Sequence, residues 1–553
     1  MTDVVSFADE LVELMFDAQP LSPALLGLES DRTGLADLSE EAERTHRGRV
    51  LDLLRRLADV DRAALPEGDR VTANVVLHQG RAQIDVIDTR SVEFTVSDLF
   101  HAPAAGLLTL LPMVPVAGDR QARAQLDRLA AIPRYLEQAL DRHRAGAAAG
   151  RVPVAHLVHA AVAHLDRYLA APERDPLRRQ PAPNAEFDRE RERLLADVVR
   201  PAFAAYRDGL ATDIAPHGRP ADRPGVCWLP GGERIYASLA RVHTTVTHRT
   251  PDELHETGLA VIEGLAAEYR EIGSRVFGST DLGEIFTRLR TDPALRWRDA
   301  DELLDTARAA ITRAEAAAPN WFGRVPPQPC VVEPVPAAEA PGAPAAYYLL
   351  PAADGSRPGT YFANTHEVTE RFRHTAEATA FHEAVPGHHF QLSTALGLAE
   401  LPLLRRIGDF TAYVEGWGLY SERLAHEMGL YSGDVALLGM LSMDSLRAGR
   451  LVVDTGLHAK GWSRERAVAF LREHTPMPPV EIESEVDRYI TYPGQALAYM
   501  VGRLELQEMR ATAEKALGDR FDIRRFHDLV LGGGALPLPV LHTVVTSWAE
   551  GNR

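Results

Sequence analysis

The sequence predicts a mainly α-helical protein with a small β-sheet placed ahead of the helix that carries its chemistry. Three observations lead there: apolar residues recur three and four apart over most of the chain, one proline-rich stretch interrupts that rhythm, and histidines and glutamates concentrate directly after it. Helical spacing runs through residues 6–16, 40–60, 122–145, 186–206, 251–272 and 300–316. With 553 residues, 45% hydrophobic and 25% charged, the chain is long enough for several domains or one large two-lobed body. Breaks rich in Pro, Gly and Ala near residues 145–152, 179–185 and 215–225 divide it into an N-terminal helical lobe, 1–215, and a second lobe, 216–553.

Residues 319–360 hold ten prolines and are not helical. Short β-favouring runs at 330–335, 346–350 and 359–364 predict a small sheet over 330–365. Helical sequence then returns at 367–385, so a strand feeds the helix bearing the main motif, and the chemistry concentrates in 367–430.

Charge and composition exclude several functions. A net charge of −18 argues against a protein that neutralises phosphates, and so against nucleic acid or an anionic membrane as partner. Two cysteines, Cys227 and Cys330, cannot build a disulfide framework or a cysteine-based structural zinc site. The first twenty residues, interrupted by Asp3, Asp9, Glu10 and Glu13, do not read as a signal peptide, and no apolar run reaches membrane-spanning length. A cytoplasmic location is expected.

The segment from Thr379 to Gln391 holds His382, Glu383, Pro386, Gly387, His388 and His389. In a zinc helix of the form H-E-x-x-H, two histidines four apart share the ion and the glutamate handles a water proton. Here Pro386 stands where the second histidine belongs. In a regular helix a residue six positions on is rotated by roughly 120°, and one seven on lies ~10 Å away, so neither His388 nor His389 could share an ion with His382. Pro386 and Gly387 license a break that brings one of them back, with the smaller distortion for His388. In a second helical stretch Glu415 supplies the third ligand, leaving a position for water, and Glu422, seven residues on, is placed to accept the other N–H of a ligand histidine.

These residues resemble the gluzincin-type metallopeptidases, among them the thimet-oligopeptidase and angiotensin-converting-enzyme families. They are more closely similar to the bacterial domain-of-unknown-function family 885, whose H-E-x-x-P-G-H-H, E-G-W-x-x-Y-x-E and P-G-Q-A-x-x-Y patterns stand at His382 to His389, Glu415 to Glu422 and Pro493 to Tyr499. The resemblance implies a deep cleft in a helical body, and an expanded relative of H-E-x-x-H with His388 as second ligand and His389 positioning substrate or water. It also implies an edge strand at 359–364, with Tyr361 and Asn364, that binds the substrate backbone by strand addition.

Tyr499 is the candidate donor to the developing oxyanion. Tyr492 and Gln495, around the preceding Pro-Gly turn, are substrate-binding candidates, as are Arg450 and His458 of the Arg450–Asp454–His458 series, in which Asp454 is assigned a structural role. Together these residues predict a zinc hydrolase, one ion per chain, that cleaves short peptides or peptide-like amides with Glu383 as proton carrier. Two alternatives stand beside it: a metal-dependent hydrolase or lyase dedicated to one small metabolite, and a non-catalytic helical binding protein. A serine hydrolase is not among them, since no G-x-S-x-G elbow occurs.

Overall fold

A computed structural model describes residues 4–337, 340, 343–351 and 357–552. The described residues are mainly helical, 71% helix, with one three-stranded sheet among them. Side chains start many of the helices: Ser39 caps Glu40–Ala58, Asp299 caps Ala300–Ala317, and Thr250 with Glu253 closes a reciprocal capping box ahead of Pro251–Phe277. No helix among the described residues is long and apolar enough to cross a membrane.

Two compact units form. The first holds Met1–Leu239 and takes back Leu457–Glu465 and Asp487–Pro493; the second holds Ala240–Gly456, Arg466–Val486 and Gly494–Arg553. The first segment of the first unit ends at Leu239, and two later segments of the chain complete that unit. In that unit Leu129, Ile132, Leu136 and Ala139 of the Asp119–Ala148 helix bury one stripe against Leu195, Val199, Phe203 and Leu210.

The sheet and the motif helices belong to the second unit. The three strands, β1 (Cys330–Pro334), β2 (Ala346–Leu349) and β3 (Gly359–Ala363), match the sequence expectation within a residue at each end. Their order is β1-β3-β2, with β3 parallel to β1 and antiparallel to β2. The expected edge strand is therefore the central one. Tyr361 sits opposite Val332 on one side and Tyr348 on the other, so the β3 backbone groups are spent within the sheet and cannot receive a substrate strand.

The helix expected over 367–385 is also shorter than expected. Glu367 takes a left-handed conformation, and a single 3₁₀ turn, Val368–Glu370, follows. Phe372 bridges to Arg296 and the Arg373 amide donates to the Leu295 carbonyl, which commits the backbone to extended pairing. The helix proper is Ala376–Glu383, anchored by buried Glu377, which binds Arg313 at 2.8 Å and the Ser432 amide at 2.9 Å.

Candidate metal centre

The motif helix stops directly after Glu383: Ala384 leaves helical geometry (φ −108°, ψ −105°) and a new helix, His388–Leu396, starts behind Gly387. A Cβ on Gly387 would lie 1.9 Å from the His382 carbonyl oxygen, so the close chain crossing needs glycine. The helix Thr411–Glu427 holds the break from outside. Trp417 Nε1 donates to the Pro386 carbonyl at 2.9 Å, and Ser421 Oγ donates to it at 3.3 Å. Two histidines six residues apart consequently face each other, with ring centroids 4.7 Å apart and planes at 85°.

Glu415 comes from the same outer helix. Its Oε2 lies 3.3 Å from His382 Nε2 and 3.4 Å from His388 Nε2, and one ligand atom from each residue falls within 4.8 Å of the others. Glu422, fully buried two turns on, accepts a 2.8 Å hydrogen bond from His382 Nδ1. Between these carboxylates the helix carries Gly418, where a Cβ would press to 2.6 Å of the His382 ring. One helix thus supplies a ligand, the space for a ligand ring, the carboxylate behind that ring, and both donors that fix the break. It is itself held close to Ala498–Leu517 by paired glycines, since a Cβ on Gly502 would stand 1.9 Å from the Ala412 carbonyl.

Charges in the cluster are strongly coupled. Burial disfavours a charged His382, but hydrogen bonds to Glu415 and Glu422 outweigh it and lift the imidazole to about 9. Burial would also raise Glu415; the two histidines beside it overcome that and hold it well below the usual carboxylate range. Without a cation the site therefore holds a proton between imidazole and carboxylate. The donor set also fits a metal. Ligands about 2 Å from one tetrahedral ion stand roughly 3.3 Å apart, matching the two nitrogen-to-oxygen distances of 3.3 and 3.4 Å.

His388, rather than His389, joins the cluster. His389 Nε2 donates to the Gln328 carbonyl at 3.0 Å and Nδ1 accepts from the Tyr348 hydroxyl at 2.8 Å, so the ring is committed to the sheet side. Burial pushes its pKa down. Glu383 is half-buried beside His382, and among the described residues none hydrogen-bonds or ion-pairs with its carboxylate.

Of the other sequence candidates, Tyr361 is buried in β3, and Asn364 is spent on a loop: its Nδ2 donates to the carbonyls of Ala340, Ala343 and Pro344, while its Oδ1 accepts from the His366 amide. Arg450 stacks 4.4 Å from the Tyr499 ring centroid and binds Glu485 at 2.8 Å. Asp454 accepts from the Gly494 amide, the structural role assigned to it, and Gln495 is buried just beyond. Tyr492 and His458 belong to the first unit. Tyr492 stacks on His101; His458 accepts from the Val226 amide and donates to the Tyr489 carbonyl, and its burial drives its pKa to about 3. With both ring nitrogens bound to backbone, His458 is a packing residue. Sequence reasoning missed Tyr348, Gly418 and Ser421. The helical offsets of Gly418 and Ser421 from Glu415, three and six, are the signal that could have found them.

The profile of the family described as "Bacterial protein of unknown function (DUF885)" matches residues 20–545. The chain belongs to this family. Two solved structures are similar to this DUF885 chain. One, described as the putative lipoprotein from Colwellia psychrerythraea, is 27% identical with a TM-score of 0.90, covering 99% of each chain. The other, a putative lipoprotein of unknown function from Shewanella oneidensis, is 17% identical with a TM-score of 0.78, covering 99% of this chain and 100% of that one, and shows the fold alone. Comparison with curated proteins returns no match.

Proposed function

We propose that this DUF885 chain is a zinc-dependent hydrolase that cleaves an amide bond in short peptides or peptide-like substrates. One observation carries the reading: two imidazoles and one carboxylate converge at ligand spacing, and Glu422 backs the first imidazole. His382, His388 and Glu415 would hold the ion. When bound, zinc lowers the pKa of its water from about 15.7 towards ~7 and polarises the scissile carbonyl. Glu422 keeps Nδ1 of His382 engaged, which turns Nε2 towards the site. Glu383, adjacent and without a partner among the described residues, takes the proton of the attacking water on its carboxylate and returns it to the leaving amine. Tyr499 is assigned to donate a hydrogen bond from its phenol to the developing oxyanion.

The rest of the resemblance belongs to this proposal: gluzincin kinship, a two-lobed body with a deep cleft, and substrates small enough to enter it. A cytoplasmic location belongs to it too, although both solved relatives are described as lipoproteins. The test is metal content by mass spectrometry on protein purified without chelator or histidine tag, beside His382→Ala, followed by a mixed dipeptide and tripeptide library. About one zinc per chain, absent from the variant, with cleavage of several library members supports the reading. No metal after zinc is offered at neutral pH sinks it.

A further inference from the structure

Four arginines gather where the helices Asp434–His458 and Ala498–Leu517 meet, and three of them have carboxylates. Arg423 binds Glu268 at 2.8 Å and also Asp444; Arg503 binds Asp444; Arg450 binds Glu485 at 2.8 Å. Arg447 is the exception. It is 6% exposed, yet among the described residues it ion-pairs with no carboxylate. Its Nη1 reaches only the Met443 carbonyl, at 3.4 Å, and the Met443 sulfur, and its Nε is buried without a partner. Its Nη2 has no protein partner either and, unlike Nε, is not sealed from solvent. Among the described residues, Arg423, Arg503 and Arg450 each have a carboxylate, and Arg447 has none.

A buried guanidinium without a counter-charge is costly, and the carboxylate of a ligand would offset that cost. The guanidinium carbons of Arg447 and Arg450 lie 5.7 and 4.4 Å from the Tyr499 ring centroid. Tyr499 precedes Gly502 by one helical turn, and a Cβ on Gly416, the neighbour of Glu415, would stand 2.5 Å from Gly502 Cα. The backbone carrying Tyr499 is therefore on the order of 10 Å from that carrying Glu415, the span of a short peptide unit or two.

We propose that Arg447, whose guanidinium lies over the Tyr499 ring, takes a free carboxylate of the substrate. This rests on the hydrolase reading for the word substrate, and it narrows the class to peptides or amides with a free carboxylate near the scissile bond. The unpaired guanidinium charge matches an anion, and its planar fork matches a carboxylate.

The experiment is calorimetric titration of the full chain, metal-free and zinc-loaded, with trialanine and with trialanine C-terminal amide, for wild type and Arg447→Met. Wild type is expected to bind the acid about 10- to 100-fold more tightly than the amide, and Arg447→Met to lose that preference while its affinity for the amide is unchanged. The ligand-free variant should melt no lower than wild type, because its buried charge has been removed; Arg447→Gln, which also removes the charge, replaces it if it fails to fold and should also lose the preference. Absence of acid preference in wild type overturns the proposal, as does a variant that melts lower and keeps the preference. Inorganic phosphate displacing trialanine at equal concentration overturns the carboxylate assignment. Zinc binding without acid preference defeats this proposal alone, whereas acid preference without zinc binding defeats the hydrolase reading and leaves the Arg447 site standing.

Discussion

At the scale of single residues, Glu383 and His382 differ in what surrounds them, and that difference sets their roles. Among the described residues Glu383 has no partner to hold its carboxylate, so Glu383→Gln should leave zinc content unchanged and lower hydrolysis of a cleaved library peptide by about 10²- to 10⁴-fold. Equal turnover by the two proteins would remove Glu383 from the chemistry. His382 is held by two carboxylates, which gives the metal-free chain a pH signature. Its pKa is raised from 6.5 to about 9, so the stability it contributes is complete below about pH 6.5 and is lost as pH climbs through about 9. Glu415 works in the opposite sense: its pKa is depressed, so its contribution is present at neutral pH and lost in acid. Melting temperature measured in chelator should fall from pH 7 to 9.5 in wild type and fall less in His382→Gln. Parallel profiles would contradict the coupling.

At the scale of elements, the outer helix Thr411–Glu427 is the part on which the site depends, because it fixes both the break and the ligand geometry. Gly418 tests that dependence without touching a ligand. A Cβ there meets the His382 ring at 2.6 to 3.0 Å, so Gly418→Ala should displace the ring and weaken zinc binding about 10-fold or more, with the fold intact by circular dichroism. Gly502→Ala probes packing instead. Its Cβ would enter the Ala412 carbonyl, and the expected loss is about 1–3 kcal/mol in chemical denaturation, despite alanine's better helix propensity. An unchanged midpoint would show that the two helices separate at no cost.

At the scale of the whole molecule, a site that joins the motif helices to the outer helix makes metal binding part of stability. Zinc at 100 times its dissociation constant should add about 2.7 kcal/mol to the unit that holds it, read as a rise in melting temperature that His382→Ala abolishes. Since the chain forms two units, the calorimetric trace should show whether the rise is confined to one transition. A uniform shift would mean that both units melt together.

By itself the sequence determined the mainly helical class, the position of the small sheet, and the membership of His382, Glu415 and Glu422 in one constellation. These are local matters: apolar spacing, proline punctuation and helical offsets operate within a few residues, and the three strands fall within a residue of where the pattern puts them. Tertiary structure alone decided three things. His388 joins the cluster because Gly387 lets the chain cross the His382 carbonyl, and His389 does not because Tyr348 and Gln328 hold it. β3 is central because strand order depends on pairing between distant segments, which no alternation within a strand encodes. Arg447 stands out only after its neighbours' carboxylates have been assigned, since a sequence shows charges but not which of them are matched in space.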